Sequence, residues 1–162
     1  MCGIIGMIGA NSVVPYILEG LRRLEYRGYD SAGISTLVKG VVNRRRAEGK
    51  LAKLEKKLKD KPLTGNIGIG HTRWATHGAP NLINAHPHVS GPVSVVHNGI
   101  IENHKKLRTD LVASGFVMET DTDTEVVAHL VKYYHDQGLS PEEIMRSIIE
   151  RLNGAYALVI MI

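Results

Sequence analysis

The single cysteine of the chain is residue 2, directly behind the initiator methionine. A small side chain in that position favours removal of Met1, which would make Cys2 the N-terminal residue. A thiol titrates near about 8.5 and an α-amine near about 8. On one terminal residue, the amine is then partly neutral and within reach of the thiol proton, so nucleophile and base share a residue. The plain alternative for Cys2 is a small buried apolar side chain near a chain end. Other chemistry-bearing residues are grouped: an arginine and the only tryptophan in His71-Thr72-Arg73-Trp74, an Asn98-Gly99 pair, and carboxylates in the run from Glu119 to Glu125. An Asn-Gly pair after an apolar stretch reads as a turn. It also offers two neutral hydrogen-bond donors where the backbone can approach closely. Both readings can hold together.

Several elements must position these groups. Gly3 to Gly9 reads as a short glycine-bounded strand. Its G-x-x-G-x-x-G spacing lacks both the dinucleotide and the G-K-[ST] patterns, so close packing explains it better than a phosphate cradle. Pro15, Ile17, Leu18, Leu21 and Leu24 predict a helix from 15 to about 26. Strands at 34–38 and 41–44 are joined by Lys39-Gly40 as a hairpin. Leu51, Leu54 and Leu58 mark a second helix. Strands follow at 66–73 and 92–97, separated by a loop of about eighteen residues, a length that is uncommon without a function. Helices are predicted at 103–114, 124–137 and 141–153. The last carries a Ser140/Glu143 capping box, Pro141 at its first position and Gly154 beyond its end. A final apolar strand runs from 155 to 162.

The chain of 162 residues, 43% apolar and 22% charged, suffices for one domain with its own core. It has no apolar run long enough to cross a bilayer. One cysteine and no secretory leader pattern point to the cytoplasm. Residues 44–61 hold nine basic and three acidic residues, a local +6 that leaves −2 elsewhere. The net charge of +4 is therefore a local feature and a poor argument for nucleic-acid binding, and the lysines of the Leu51/Leu54/Leu58 helix read as a solvated face. His71, His77, His86, His88 and His97 show no H-E-x-x-H or helical His pair, so no metal is expected. His86 and His88 are expected to order the long loop by hydrogen bonds.

Six blocks carry a family resemblance: CGIIG at 2–6, LRRLEYRGYDSAG at 21–33, HTRWATHG at 71–78, NAHPH at 84–88, VVHNGIIENH at 95–104 and TDTEV at 122–126. Together they resemble the class II glutamine amidotransferases, and within them the hexosamine-forming branch. The resemblance implies an α+β fold, the four-layer αββα sandwich of N-terminal nucleophile hydrolases. It also implies one glutaminase domain over 1–162, short of the family's C-terminal strands and without the sugar isomerase domain. By the same resemblance Cys2 is the nucleophile, Asn98 and Gly99 form the oxyanion hole, Arg73 holds the α-carboxylate of L-glutamine, and Asp123 takes its α-ammonium. Asp123 is chosen over Glu119 and Asp121 because it directly precedes T-E-V. Trp74, Thr76 and His77 belong to a loop that closes over substrate, with Arg27 and His86 behind the site. No cofactor is implied. An isomerase domain or subunit would use the ammonia, and an open apolar sheet edge would favour self-association. Three functions stay compatible with the residues: a competent glutaminase, an inactive glutamine-binding or interaction module, and a nucleic-acid binder through residues 44–61.

Overall fold

In the computed structural model, which describes residues 2–75 and 78–162, the chain runs β1 (Gly3–Ile8), α1 (Val14–Leu24), a 3-10 turn (Glu25–Arg27), β2 (Ser31–Val38), β3 (Val41–Glu48), α2 (Leu51–Asp60) and β4 (Ile67–Arg73). It continues through β5 (His88–Ser90), β6 (Val93–Ile101), α3 (His104–Ala113), α4 (Asp123–Asp136), α5 (Pro141–Arg151) and β7 (Gly154–Met161). One antiparallel sheet has the order β1-β4-β2-β3 and the other β5-β6-β7.

Local signals explain most boundaries. Lys39 and Gly40 both take positive φ, 51° and 76°, the geometry of a two-residue hairpin turn whose twist matches its strands. Ser140 and Glu143 form the reciprocal capping box of α5. Three elements differ from expectation. Strand β6 continues past His97 to Ile101 because β7 pairs along it from Met161 to Gly154. The arginines at 44–46 lie within β3, held by pairing as far as Ser31↔Glu48. The long loop contains the three-residue β5, too short to show a period of its own.

Four layers result. Ile17 and Leu21 of α1 and Leu54 and Leu58 of α2 bury against the first sheet. Leu107, Val127, Leu130, Ile144 and Ile148 of the three later helices cover Val93 and Val95 of the second. The sheets meet through Ile69, Val96 and Met161 and a buried Ser35–Ser94 hydroxyl pair at 2.7 Å. The order is αββα.

The period of two along each strand then decides what faces the space between the sheets. On β4, a Cβ at Gly70 would lie 2.4 Å from Ile17 of α1, so Ile69, His71 and Arg73 point the other way, toward the second sheet. On β6, Val93 and Val95 face the helices, which turns Val96 and Asn98 toward the first sheet. Among the described residues β1 and β7 each pair on one side only. They border an apolar groove of about 560 Å³ lined by Met7, Ile8, Ile67, Val159 and Ile160.

Candidate active site

Register brings the N-terminus to the end of β4. Gly3 pairs with Thr72, so the next step outward sets Cys2 beside Arg73, on the inward faces just described. The backbone N of Cys2 donates to Asn98 Oδ1 at 3.2 Å. Its Sγ accepts from the Trp74 N–H at 3.3 Å and lies 3.5 Å from the Trp74 carbonyl. Cys2, Arg73, Trp74, His86, His97, Gly99, Thr122, Asp123 and Thr124 line one cavity of about 20 Å³.

Burial pushes the Cys2 thiol above its ordinary range, against the opposing pull of the Trp74 backbone bond and the Arg73 charge. The resting group is therefore a protonated thiol at neutral pH and needs a base before it can attack.

Arg73 is buried, and burial lowers its pKa while the charges of Cys2, Asp30 and Asp123 raise it. Its Nη1 donates to the Ala79 carbonyl and its Nη2 to the Gly78 carbonyl, each at 3.0 Å, which fixes the plane of the guanidinium. The buried Asp123 carboxylate accepts from the Ile101 N–H at 2.9 Å, and its other oxygen lies 3.8 Å from His97 Nδ1. Asp123 begins α4 but does not cap it: the Thr122 hydroxyl accepts the Glu125 N–H at 3.3 Å. The carboxylate is thus available to the cavity while still suiting the positive end of the helix. Of the three carboxylates weighed at this segment, Asp123 lines the cavity, whereas Glu119 and Asp121 are exposed and do not line it among the described residues.

Asn98 and Gly99 lie inside β6, opposite Ala157 and Tyr156, so the turn reading of this pair gives way to a strand. Gly99 has φ 135°, and a Cβ there would fall 2.1 Å from the Ala155 carbonyl oxygen. Only glycine fits both the conformation and the contact.

The Y-R-G-Y-D block braces the cavity wall. A Cβ at Gly28 would lie 2.5 Å from the Arg73 carbonyl carbon. Asp30 accepts the Ala75 N–H at 2.6 Å and donates its own N–H to the Arg73 carbonyl at 3.0 Å. Tyr29 meets the half-exposed Trp74 edge-on, with ring centroids 5.8 Å apart. Arg27 closes the 3-10 turn beside Gly28 and is not among the described residues lining the cavity. Thr76 and His77 lie outside the described residues.

The histidines of the long loop and of the sheets form a buried network. His86 Nε2 and His97 Nδ1 both hydrogen-bond the Thr124 hydroxyl, at 2.7 and 3.0 Å. His88 Nε2 bonds the Thr122 hydroxyl at 3.1 Å, and His71 Nε2 donates to the His97 carbonyl at 2.9 Å. The rings of His71 and His86 stack at 4.1 Å. Burial drives the His71 pKa down to about 3 and those of His86 and His88 well below the usual imidazole range. These are neutral rings that tie β4, the loop, β6 and α4 together around the cavity.

Sequence reasoning missed Thr122 and Thr124 in this network and the loop partners of Arg44 and Arg46. Arg44 donates to the Pro87 carbonyl at 2.9 Å, and Arg46 Nη1 donates to those of Ile83 and Ala85 at 3.0 and 2.6 Å. Burial lowers both, Arg46 to about 10. The period-two rule places Arg44 and Arg46 on one face, a signal readable once 44–48 is a strand. Arg46→Met, which leaves two loop carbonyls without their donor, is expected to destabilise the protein by about 2 kcal/mol; urea unfolding measures it.

Comparison with known proteins agrees with this architecture. A family profile for the glutamine amidotransferase domain matches residues 80–162. The glutamine–fructose-6-phosphate aminotransferase (isomerizing) of Mesorhizobium japonicum is 58% identical over 161 residues, covering 99% of this chain and 26% of the relative. That of Brucella abortus is 60% identical over 158 residues, covering 98% and 26%. The chain thus spans about a quarter of the length of the curated relatives it matches. Among solved structures, the glutamine phosphoribosylpyrophosphate amidotransferase of B. subtilis, complexed with ADP and GMP, superimposes with a TM-score of 0.83 at 26% identity, covering 99% of this chain and 35% of that one. A second, described as the allosteric regulatory enzyme of purine biosynthesis, gives 0.83 at 28% identity with the same coverage. The αββα sandwich is therefore of the N-terminal nucleophile hydrolase type, and with a profile match over more than half its length the chain belongs to the glutamine amidotransferase domain family.

Proposed function

We propose that this chain, read over 1–162 as one type 2 glutamine amidotransferase domain, hydrolyses L-glutamine to glutamate and ammonia through Cys2. The observation that carries the proposal is the 3.2 Å bond from the Cys2 nitrogen to Asn98 in a site shared with Arg73, Gly99 and Asp123. Removal of Met1 converts that nitrogen to a free amine. Asn98 Oδ1 holds one of its N–H groups, leaving the lone pair to take the thiol proton. Sγ then attacks the side-chain amide carbon of glutamine, and the developing oxyanion is met by the Asn98 Nδ2–H and the Gly99 N–H. Collapse breaks the C–N bond, the protonated amine returns its proton to the departing nitrogen as ammonia, and a thioester remains. Water, deprotonated by the same amine, attacks the thioester; glutamate leaves and the Cys2 thiol is restored.

Arg73 receives the α-carboxylate and Asp123 the α-ammonium, opposite charges that select a free amino acid over a glutamine within a protein. A cavity of about 20 Å³ has room for about one water, so substrate enters by displacing its wall. Trp74 is assigned to that wall, and Thr76 and His77, which lie outside the described residues, to substrate contact. Arg27 and His86 are assigned to support behind it. The chemistry uses no cofactor and no metal. In a longer protein, a sugar isomerase domain or subunit would pass the ammonia to fructose 6-phosphate to make glucosamine 6-phosphate. A cytoplasmic setting suits the lone thiol, and among the described residues no helix is long and apolar enough to cross a membrane. Among the described residues β1 and β7 each leave one edge unpaired, and such edges would favour self-association.

The test is ammonia release by the chain and by Cys2→Ala, with mass mapping of the adduct left by a diazoketone analogue of glutamine. One adduct on Cys2 and loss of turnover in Cys2→Ala are expected. Equal release by both proteins, labelling elsewhere, or active protein that retains Met1 overturns the assignment.

A further inference from the structure

Asn84 makes no contact with Cys2 among the hydrogen bonds above, yet it joins the two ends of the substrate clamp. It is fully buried, and its amide is satisfied on both sides. Nδ2 donates to the Ala79 carbonyl at 3.1 Å and to Asp121 Oδ2 at 3.2 Å, while Oδ1 accepts the Asp121 N–H at 3.0 Å. Its own backbone N–H is held by Asn81 Oδ1 at 3.0 Å. The Ala79 carbonyl is the same one that receives Arg73 Nη1. The neighbouring Gly78, whose carbonyl receives Arg73 Nη2, packs so closely that a Cβ there would lie 2.6 Å from Asn84 Nδ2. Asp121 stands two residues before Asp123. A continuous path therefore runs from the Arg73 guanidinium through Ala79 and Asn84 to Asp121 and on to Asp123.

We infer that Asn84 is a positioning residue that sets the separation of Arg73 and Asp123, and with it the preference for a free α-amino acid; this rests on the reading of those two residues as the glutamine clamp. A primary amide is the side chain this place requires. It must donate twice, to a carbonyl and a carboxylate, and accept once from a backbone N–H. A carboxylate in its place would face both the Ala79 oxygen and the Asp121 carboxylate without a proton to offer. The Cys2–Asn98 contact lies off this path, so Asn84 affects the grip on the amino-acid end and not the nucleophile.

The experiment uses the full chain and compares wild type, Asn84→Asp, the exchanged pair Asn84→Asp with Asp121→Asn, and Asp121→Ala at the exposed end of the path. Glutamine affinity is measured by calorimetry, and Cys2 alkylation by iodoacetamide, which has no amino-acid end to grip. Asn84→Asp is expected to weaken glutamine about tenfold, raising KM at unchanged kcat, with the alkylation rate unchanged. The exchanged pair regains part of the loss, because the amide introduced by Asp121→Asn can again donate across the contact, now toward the new carboxylate. Asp121→Ala weakens glutamine several-fold in the same pattern and keeps the test open if Asn84→Asp does not fold. Glutamine affinity that is unchanged in the variants, or that falls together with alkylation, overturns the inference alone. Failure of wild type to bind glutamine overturns the clamp reading and this inference with it.

Discussion

Lowering the pH from 7 to 5 is expected to destabilise this protein, with His71 alone costing about 2 kcal/mol. The loss arises from His71, His86 and His88. In the folded chain, burial holds His71 at about 3 and the other two well below the ordinary imidazole value. In the unfolded chain they return to about 6.5. Below that pH the unfolded state binds protons that the folded state refuses, so stability falls as pH falls and is fully present above it. At pH 5 the His71 ring accounts for about 2 kcal/mol, and His86 and His88 add losses of the same sign. The groups around them oppose protonation from several sides: the rings face one another, Arg73 lies near His71 and His86, and Arg44 and Arg46 act on His88, with Glu125 alone favouring its charge. Glu125 adds a second, more acidic loss. Burial raises its pKa, but the His129 ring 3.6 Å away and the bonds from the Glu119 and Thr120 N–H groups and the Thr120 hydroxyl outweigh it and bring it to about 2. Its contribution is present above about 4.5 and disappears as pH falls toward about 2. Urea midpoints at pH 7, 6 and 5 measure the first loss. His88→Gln should make the slope shallower; a flat profile between pH 7 and 5 would contradict buried neutral rings.

Replacing Asn98 is expected to reduce glutamine turnover by about 10²–10³-fold, the usual cost of one oxyanion donor. The 3.2 Å contact commits Oδ1 to the Cys2 nitrogen, which leaves Nδ2 to meet the oxyanion. Asn98→Ala loses both functions. Asn98→Asp keeps the acceptor and the shape, yet sets a negative charge where another must form, so it should be at least as slow as Asn98→Ala. Arg73 and Asp123 are untouched, and calorimetric glutamine affinity should stay near that of wild type. Turnover within tenfold of wild type in both variants would remove Asn98 from the oxyanion role.

The Lys39-Gly40 turn, the Ser140/Glu143 cap and the Leu51/Leu54/Leu58 helix were readable along the chain, because each is decided by groups within a few residues of one another. The spaced blocks around Cys2, Arg73, Asn98 and Asp123 were likewise visible as residues, and the structure brings them to one site. What could not be read was the company they keep. Asn84 meets Asp121 across 37 positions, Arg46 meets Ala85 across 39, and His86 meets Thr124 across 38. Such partners are chosen by strand register and by which face of a strand a side chain takes. A buried polar group must be satisfied wherever the fold leaves it, and no spacing along the chain records which distant donor or acceptor will be there.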